Sequence, residues 1–167
     1  LSGEDPDVAY TLVEMADDAA GLLDALGIES AHVAGVSMGG MIAQTAAIRH
    51  PEKVRSLISI MSTTGAPDVG QPTAEAMEAL LSAAPGTERS EIIACNVQNA
   101  KVWASPEHFD AVRLEQLFQD SWDRVGGPQA VNSGRQLCAI VASTPRDEAL
   151  ASLDIATLVV HGAEDTL

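Results

Sequence analysis

The chain has 167 residues, enough for one ordinary domain with a hydrophobic core. An apolar content of 46% with 20% charged residues describes a globular protein, and no apolar run approaches membrane-spanning length. With 24 acidic residues against 9 basic ones the net charge is −15, which argues against nucleic acid or an anionic membrane as partner.

Leu1 to Pro6 is polar and turn-like. No Lys or Arg occurs between Leu1 and Glu29, and most carboxylates there fall opposite an apolar stripe, as on a solvated helix face. Thr11 and Glu14 are spaced as a capping box, and Tyr10 and Met15 as a hydrophobic staple. Leu12, Met15, Ala19, Leu22, Leu23 and Leu26 then form one apolar face, and Gly27 ends the helix in the left-handed position. Ala31 to Val36 is continuously apolar, which predicts a strand buried on both faces of a parallel sheet. A second helix runs from Met38 to about His50 and stops before Pro51. Val54 to Met61 and Ile155 to Val160 read as further strands, and strand–helix–strand is a crossover unit, so the fold class is α/β.

Between residues 66 and 153 no strand pattern is found. Pro72-Thr73, Pro85-Gly86-Thr87, Ser105-Pro106, Gly126-Gly127-Pro128 and Thr144-Pro145 divide this stretch into helical pieces. Ser105 and Pro106 are spaced as N-cap and first helical residue, with Phe109, Val112, Leu117 and Phe118 on the apolar side; Thr144, Pro145 and Asp147 repeat that logic. Such a length is too great for a simple connection and implies an inserted helical subdomain. Three segments result: residues 1–65 as the first part of a core, 66–153 as an insertion, and 154–167 as a returning core strand and loop.

The chemistry concentrates at Ala31-His32-Val33-Ala34-Gly35-Val36-Ser37-Met38-Gly39-Gly40-Met41. A serine on a sharp strand-to-helix turn stands clear of the backbone, beside unpaired N–H groups of the helix's first turn. Gly35 and Gly39, two residues either side of Ser37, allow strand and helix to approach closely. Chance alone gives Gly-x-Ser-x-Gly in a chain of this length about once in twenty, so the strand before it and the helix after it carry the weight. A nucleotide-binding turn would need Gly-x-Gly at its start or Gly-Lys-Ser/Thr at its end; neither is present.

Together with the strand Val54 to Met61, the helical insertion and Leu158-Val159-Val160-His161-Gly162-Ala163-Glu164-Asp165, this turn resembles the α/β-hydrolase family. The likeness extends over the whole chain, corresponds to the middle of a family domain, and is strongest to small-molecule serine esterases of the aclacinomycin methylesterase kind. Ala156 departs from the proline common before the last strand. The resemblance implies a partial parallel sheet with a helical cap over the active site. Ser37 would be the nucleophile, Asp165 the acid, and the backbone N–H of Met38 an oxyanion donor; serine at position 37 argues against the family's dehalogenases and epoxide hydrolases, which carry aspartate there. Asp68 is a second choice for the acid, and Asp154 lies at the wrong end of its strand.

The family's order is nucleophile, acid, histidine, yet only Thr166 and Leu167 follow Asp165. His32 begins a strand, His50 closes the elbow helix, His161 precedes the acid and His108 lies in the insertion. The expectation is therefore a fragment whose triad histidine, second oxyanion donor and terminal domain parts lie outside these residues, catalytically incompetent and prone to self-association alone. Its whole protein is expected to hydrolyse a carboxylic ester or related acyl compound; lactone, thioester, amide and carbon–carbon bond cleavage stay open, as does non-catalytic ligand binding. Ser62, Thr63, Trp103 and Trp122 are candidate pocket residues, although a polar loop and ordinary helical core explain them too. Cys95 and Cys138 lack metal or redox spacing and read as buried free thiols, consistent with a cytoplasmic location. The mechanism calls for no cofactor and no metal.

Overall fold

Three parallel strands, β1 (Ala31–Val36), β2 (Val54–Ile60) and β3 (Ala156–Val160), lie in that order across one sheet. The structure is a computed structural model and describes residues 8–127 and 130–167. The turn-like Leu1 to Pro6, and Pro128 of the Gly126-Gly127-Pro128 break, fall outside the described residues. Val36 pairs with Ile60 and Ile60 with Val160, so all three strands end in line at one carboxyl edge.

The helix preceding the sheet, α1 (Leu12–Ala25), starts as its sequence demands. Thr11 Oγ1 accepts the Val13 N–H at 3.1 Å while the Glu14 carboxylate accepts the Thr11 N–H at 2.7 Å, satisfying donors that a helix start leaves open. Gly27 (φ 68°) stops the helix, with the Ile28 N–H returning to the Leu23 carbonyl at 2.8 Å. The buried face differs from the expected leucine stripe. Leu12, Ala16 and Ala20 are buried, whereas Ala19, Leu22 and Leu26 face outward. The cause is the neighbour: α2 (Met38–Arg49) presents Ala43, Ala46 and Ala47, and the small side chains of both helices suit close packing. Ala16, these three alanines, Val54 and Leu57 make the core, with Val33, Leu150, Leu153 and Ile155 packed against it. Two of the early carboxylates, expected to be solvated, form ion pairs, Asp17 with Arg49 and Asp24 with Lys53, and His50 Nε2 also lies 2.7 Å from Asp17.

The prediction that β1 is buried on both faces is corrected. His32, Ala34 and Val36 are exposed and alternate with more buried residues, because the described structure covers only the face toward α2 and β1 is an edge strand. A register shift between Ala31 and His32 leaves Arg55 outside the Cα pairing of β1 with β2.

The chain divides into two units, Leu1–Gly70 with Asn132–Gly162, and Gln71–Val131 with Ala163–Leu167. Residues 66–153 are thus shared between them. In the first unit, besides the sheet, α1 and α2, lie most of α6 (Ala130–Val141) and all of α7 (Asp147–Ala151); the Leu12 N–H donates to Ser143 Oγ at 3.3 Å. In the second, α4 (Arg89–Trp103) packs on α3 (Ala74–Leu81) and α5 (Ala111–Val125), burying Ile93, Val97 and Ala100, with Arg89 paired to Asp123 at 2.9 Å. Among the described residues 66–153 there is no strand, and no helix is long and apolar enough to cross a membrane.

Two helix starts differ from expectation. Pro106–His108 is a single 3-10 turn, and α5 begins only after Asp110, whose carboxylate takes the Arg113 N–H at 3.0 Å. Thr144 does not cap α7; the cap position is Arg146, whose N–H is engaged by the Thr64 carbonyl at 3.0 Å.

Candidate active site

Ser37 is the residue between β1 and α2, and its backbone adopts φ 54°, ψ −121°. Glycine alone adopts positive φ without steric cost, so a serine there stores local strain of about 1–3 kcal/mol. Its N–H continues the sheet by donating to the Ile60 carbonyl at 2.9 Å. Its carbonyl starts the helix, accepting from Gly40 at 2.9 Å and Met41 at 3.2 Å. The backbone is held on both sides, while the side chain, although at an N-cap, makes no capping hydrogen bond. The hydroxyl is half-buried and not committed to the helix. Met38 and Gly39 occupy the first helical positions, whose N–H groups the helix itself cannot satisfy.

The glycines divide the work differently from the symmetric expectation. A Cβ on Gly35 would sit 2.0 Å from the Gly39 carbonyl oxygen and 2.6 Å from the Gly40 nitrogen, so strand and helix backbones already touch there. A Cβ on Gly40 would lie 2.6 Å from Ser62 Cβ. A Cβ on Gly39 would meet nothing within 4 Å. Gly35 and Gly40 make the close approaches; Gly39 contributes only the backbone that Gly35 meets.

The loop after β2 forms the neighbouring wall. Met61 also has positive φ (37°), and its N–H donates to the Val160 carbonyl at 2.8 Å, repeating at β2 what Ser37 does at β1. Ser62 Oγ is buried and finds no partner among the described residues. The Thr63 and Thr64 hydroxyls accept from the Gly65 and Ala66 N–H groups at 3.2 and 3.3 Å, which shapes their own loop. Beneath them lies a residue that the sequence did not mark. Arg146 is 7% exposed and donates to Gln44 Oε1 at 3.2 Å, to the Thr144 carbonyl at 3.3 Å and to the Thr63 carbonyl at 3.0 Å. Gln44 passes the network on to Ser59 Oγ at 3.1 Å. Burial pushes the Arg146 pKa below its ordinary value. No motif marks Arg146, because Gln44 and Thr63, which tie it to α2 and to the loop after β2, lie about 80 to 100 residues away in the chain.

The other candidates sit on other elements, each described within its own unit. Asp165 belongs to the second unit, is exposed, and receives the Leu167 N–H at 3.1 Å; beside it the Thr166 carbonyl accepts the Thr73 N–H at 2.9 Å. Trp103 and Trp122 are half-buried in α4 and α5 of the same unit. Asp68 and Asp154 are exposed. His32 Nδ1 lies 2.7 Å from Ser56 Oγ at the amino edge of the sheet, and His50 Nε2 lies 2.7 Å from Asp17 at the far end of α2. His161 follows β3 at the carboxyl edge, two strand spacings (about 10 Å) from the Ser37 strand, and His108 is exposed in the second unit. Cys95 and Cys138 are free thiols, half-buried rather than buried.

A strained serine joining a parallel strand to a helix, with the two backbones in close approach at Gly35, is the signature turn of one fold class, and the profile of the alpha/beta hydrolase fold matches residues 2–167. The chain belongs to the alpha/beta hydrolase family. It is 29% identical over 164 residues to 2-hydroxymuconate semialdehyde hydrolase of Pseudomonas putida, covering 96% of this chain and 55% of that protein. To the protein of the same name from Pseudomonas sp. strain CF600 it is 31% identical over 172 residues, covering 96% and 54%. The meta-cleavage product hydrolase of Pseudomonas fluorescens IP01 superposes with a TM-score of 0.67 at 24% identity, over 98% of this chain and 58% of that one, a likeness of fold. The chain spans about half the length of the curated relatives it matches.

Proposed function

We propose that this chain carries the nucleophile of a serine hydrolase that cleaves a carboxylic ester or related acyl compound through an acyl-enzyme on Ser37. The observation that carries this reading is the Ser37 backbone at φ 54°, ψ −121°, with its side chain released from helix capping. Holding a serine in that conformation costs stability, and the return is a hydroxyl presented at the carboxyl edge of a parallel sheet. In this reading Ser37 Oγ attacks the carbonyl carbon, and the oxyanion is received by the Met38 N–H at the positive end of α2. Collapse of the adduct expels the alcohol and leaves an ester on Ser37, which water then hydrolyses. Asp165 serves as the acid that orients a histidine base. His32 and His50 are engaged with Ser56 and Asp17, and in this reading the base is a histidine of the complete gene product other than the four in this chain. In this reading Trp103 and Trp122 belong to the helical cap, and Ser62 and Thr63 lie in the loop after β2, on the same carboxyl edge as Ser37.

A second reading, carbon–carbon bond hydrolysis, is favoured by the two 2-hydroxymuconate semialdehyde hydrolases that align with 96% of the chain. One experiment addresses both. The complete gene product containing this chain is treated with a fluorophosphonate probe and assayed on p-nitrophenyl esters, simple lactones and 2-hydroxymuconate semialdehyde. Covalent labelling that disappears in Ser37→Ala is expected, and the substrate turned over fastest selects between the readings. No labelling and no turnover would leave a ligand-binding protein on a hydrolase fold. The isolated chain should show neither; ester hydrolysis by it that is lost in Ser37→Ala would overturn the assignment of the base to other residues.

A further inference from the structure

We infer that Arg146 is a positioning residue for the Ser37 turn: it fastens the loop after β2 so that Ser62 stays lodged against Gly40 in the first turn of α2. This rests on the reading of Ser37 as nucleophile.

Arg146 is buried with no carboxylate paired to it among the described residues, in a chain whose acidic residues outnumber its basic ones 24 to 9. A buried cation is costly unless hydrogen-bonded, and all of its acceptors here are neutral oxygens. Two of its bonds fall on successive residues of one loop: the side chain donates to the Thr63 carbonyl and the backbone N–H to the Thr64 carbonyl, both at 3.0 Å. A third, to Gln44, ties the same side chain to α2 two turns beyond Ser37. The arginine thus clamps the helix and the loop to each other.

What that clamp sets is the position of Ser62. Space for a methyl group at Gly40 is already filled by Ser62 Cβ, so a shift of the loop moves the surface on which Gly40 rests. Gly40 is the residue whose N–H opens the helix ladder on the Ser37 carbonyl. The Met38 N–H, the proposed oxyanion donor, lies in that same turn. Burial of Ser62 Oγ without a partner is consistent with Ser62 being kept for its fit on Gly40 rather than for a hydrogen bond of its own. Misplacement by about 1 Å of a group that stabilises a transition state costs about 100-fold in rate.

The test uses the complete gene product and reads kcat, KM, the rate of fluorophosphonate labelling and Tm together. Arg146→Met is expected to lower kcat and labelling by about 10- to 100-fold with KM within about threefold, and Arg146→Lys to restore part of the loss. Leu12→Ala, a core truncation in the same unit, should lower Tm with kcat held within about twofold, separating stability from positioning. Ser62→Gly should lose about tenfold more rate than Ser62→Ala, which keeps Cβ, and this pair decides the matter if Arg146→Met does not fold. A lowered Tm with unchanged kcat and labelling in Arg146→Met, or equal rates in the two Ser62 variants, would overturn the inference. Absence of Ser37 labelling in the unsubstituted protein would instead sink the nucleophile reading, and this inference with it.

Discussion

Ser37 and its glycines set two forces against each other, and each can be measured alone. Gly35→Ala places a methyl group 2.0 Å from a carbonyl oxygen of the facing backbone, a contact no rotamer relieves. It should cost about 3 kcal/mol or more in urea unfolding. Gly39→Ala meets open space inside a helix and should gain about 0.5–1 kcal/mol, the opposite sign two residues beyond Ser37. Strain at Ser37 itself is isolated by comparing Ser37→Gly with Ser37→Ala. Both remove the hydroxyl, but only glycine relaxes φ 54°, so Ser37→Gly should be the more stable by about 1 kcal/mol or more. The turn was readable in the sequence because its constraints are local: strand, glycine, serine and helix fall within about ten consecutive residues. Gly40's packing on Ser62 and Arg146's grip on Thr63 were not, since each is made with a residue far along the chain and leaves no pattern nearby.

Among the elements, helix starts were readable where the capping side chain sits beside its target, as at Thr11 and Glu14. They were misread where tertiary contact intervened, as at Arg146, or where a better cap followed, as at Asp110. The buried face of α1 was misread because hydrophobicity favours leucine, while the partner helix, built of alanines, selects Ala16 and Ala20. The α1–α2 contact also has a measurable pH dependence. Asp17 accepts from Arg49 and from His50, and these hydrogen bonds hold its carboxyl at about 2, below the ordinary 3.8. The unfolded chain therefore takes up that proton first as pH falls. The contribution of Asp17 to stability should be complete above about pH 4 and lost between about pH 4 and pH 2. Thermal unfolding followed from pH 6 to pH 2 should show this loss, and Asp17→Asn should flatten it over that window. An unchanged slope in the variant would show that the pair does not stabilise the fold.

At the scale of the molecule, the α/β class and the existence of the three strands followed from chain order and apolar runs, whereas the degree of burial did not. Whether a strand is covered depends on elements distant in the chain. Among the described residues β1 pairs with β2 alone, and all of β3 is exposed, including Leu158 at 54%, Val159 at 66% and Val160 at 46%. Unpaired parallel edges with apolar side chains at both ends of a sheet invite strand addition by another copy. The charge of −15 opposes this, because copies of one sign repel over roughly 10 Å at 0.1 M salt and far less at 1 M. The two terms respond differently to ionic strength: screening removes the repulsion and leaves the hydrophobic attraction intact. The isolated chain should therefore self-associate, and light scattering should show its apparent mass rising from low salt to 1 M sodium chloride. Val159→Lys, a charge on the exposed edge strand, should reduce that rise, since the lysine must be desolvated for any strand to pair across it. A monodisperse monomer at both salt concentrations would mean that the exposed strands of this sheet are not adhesive.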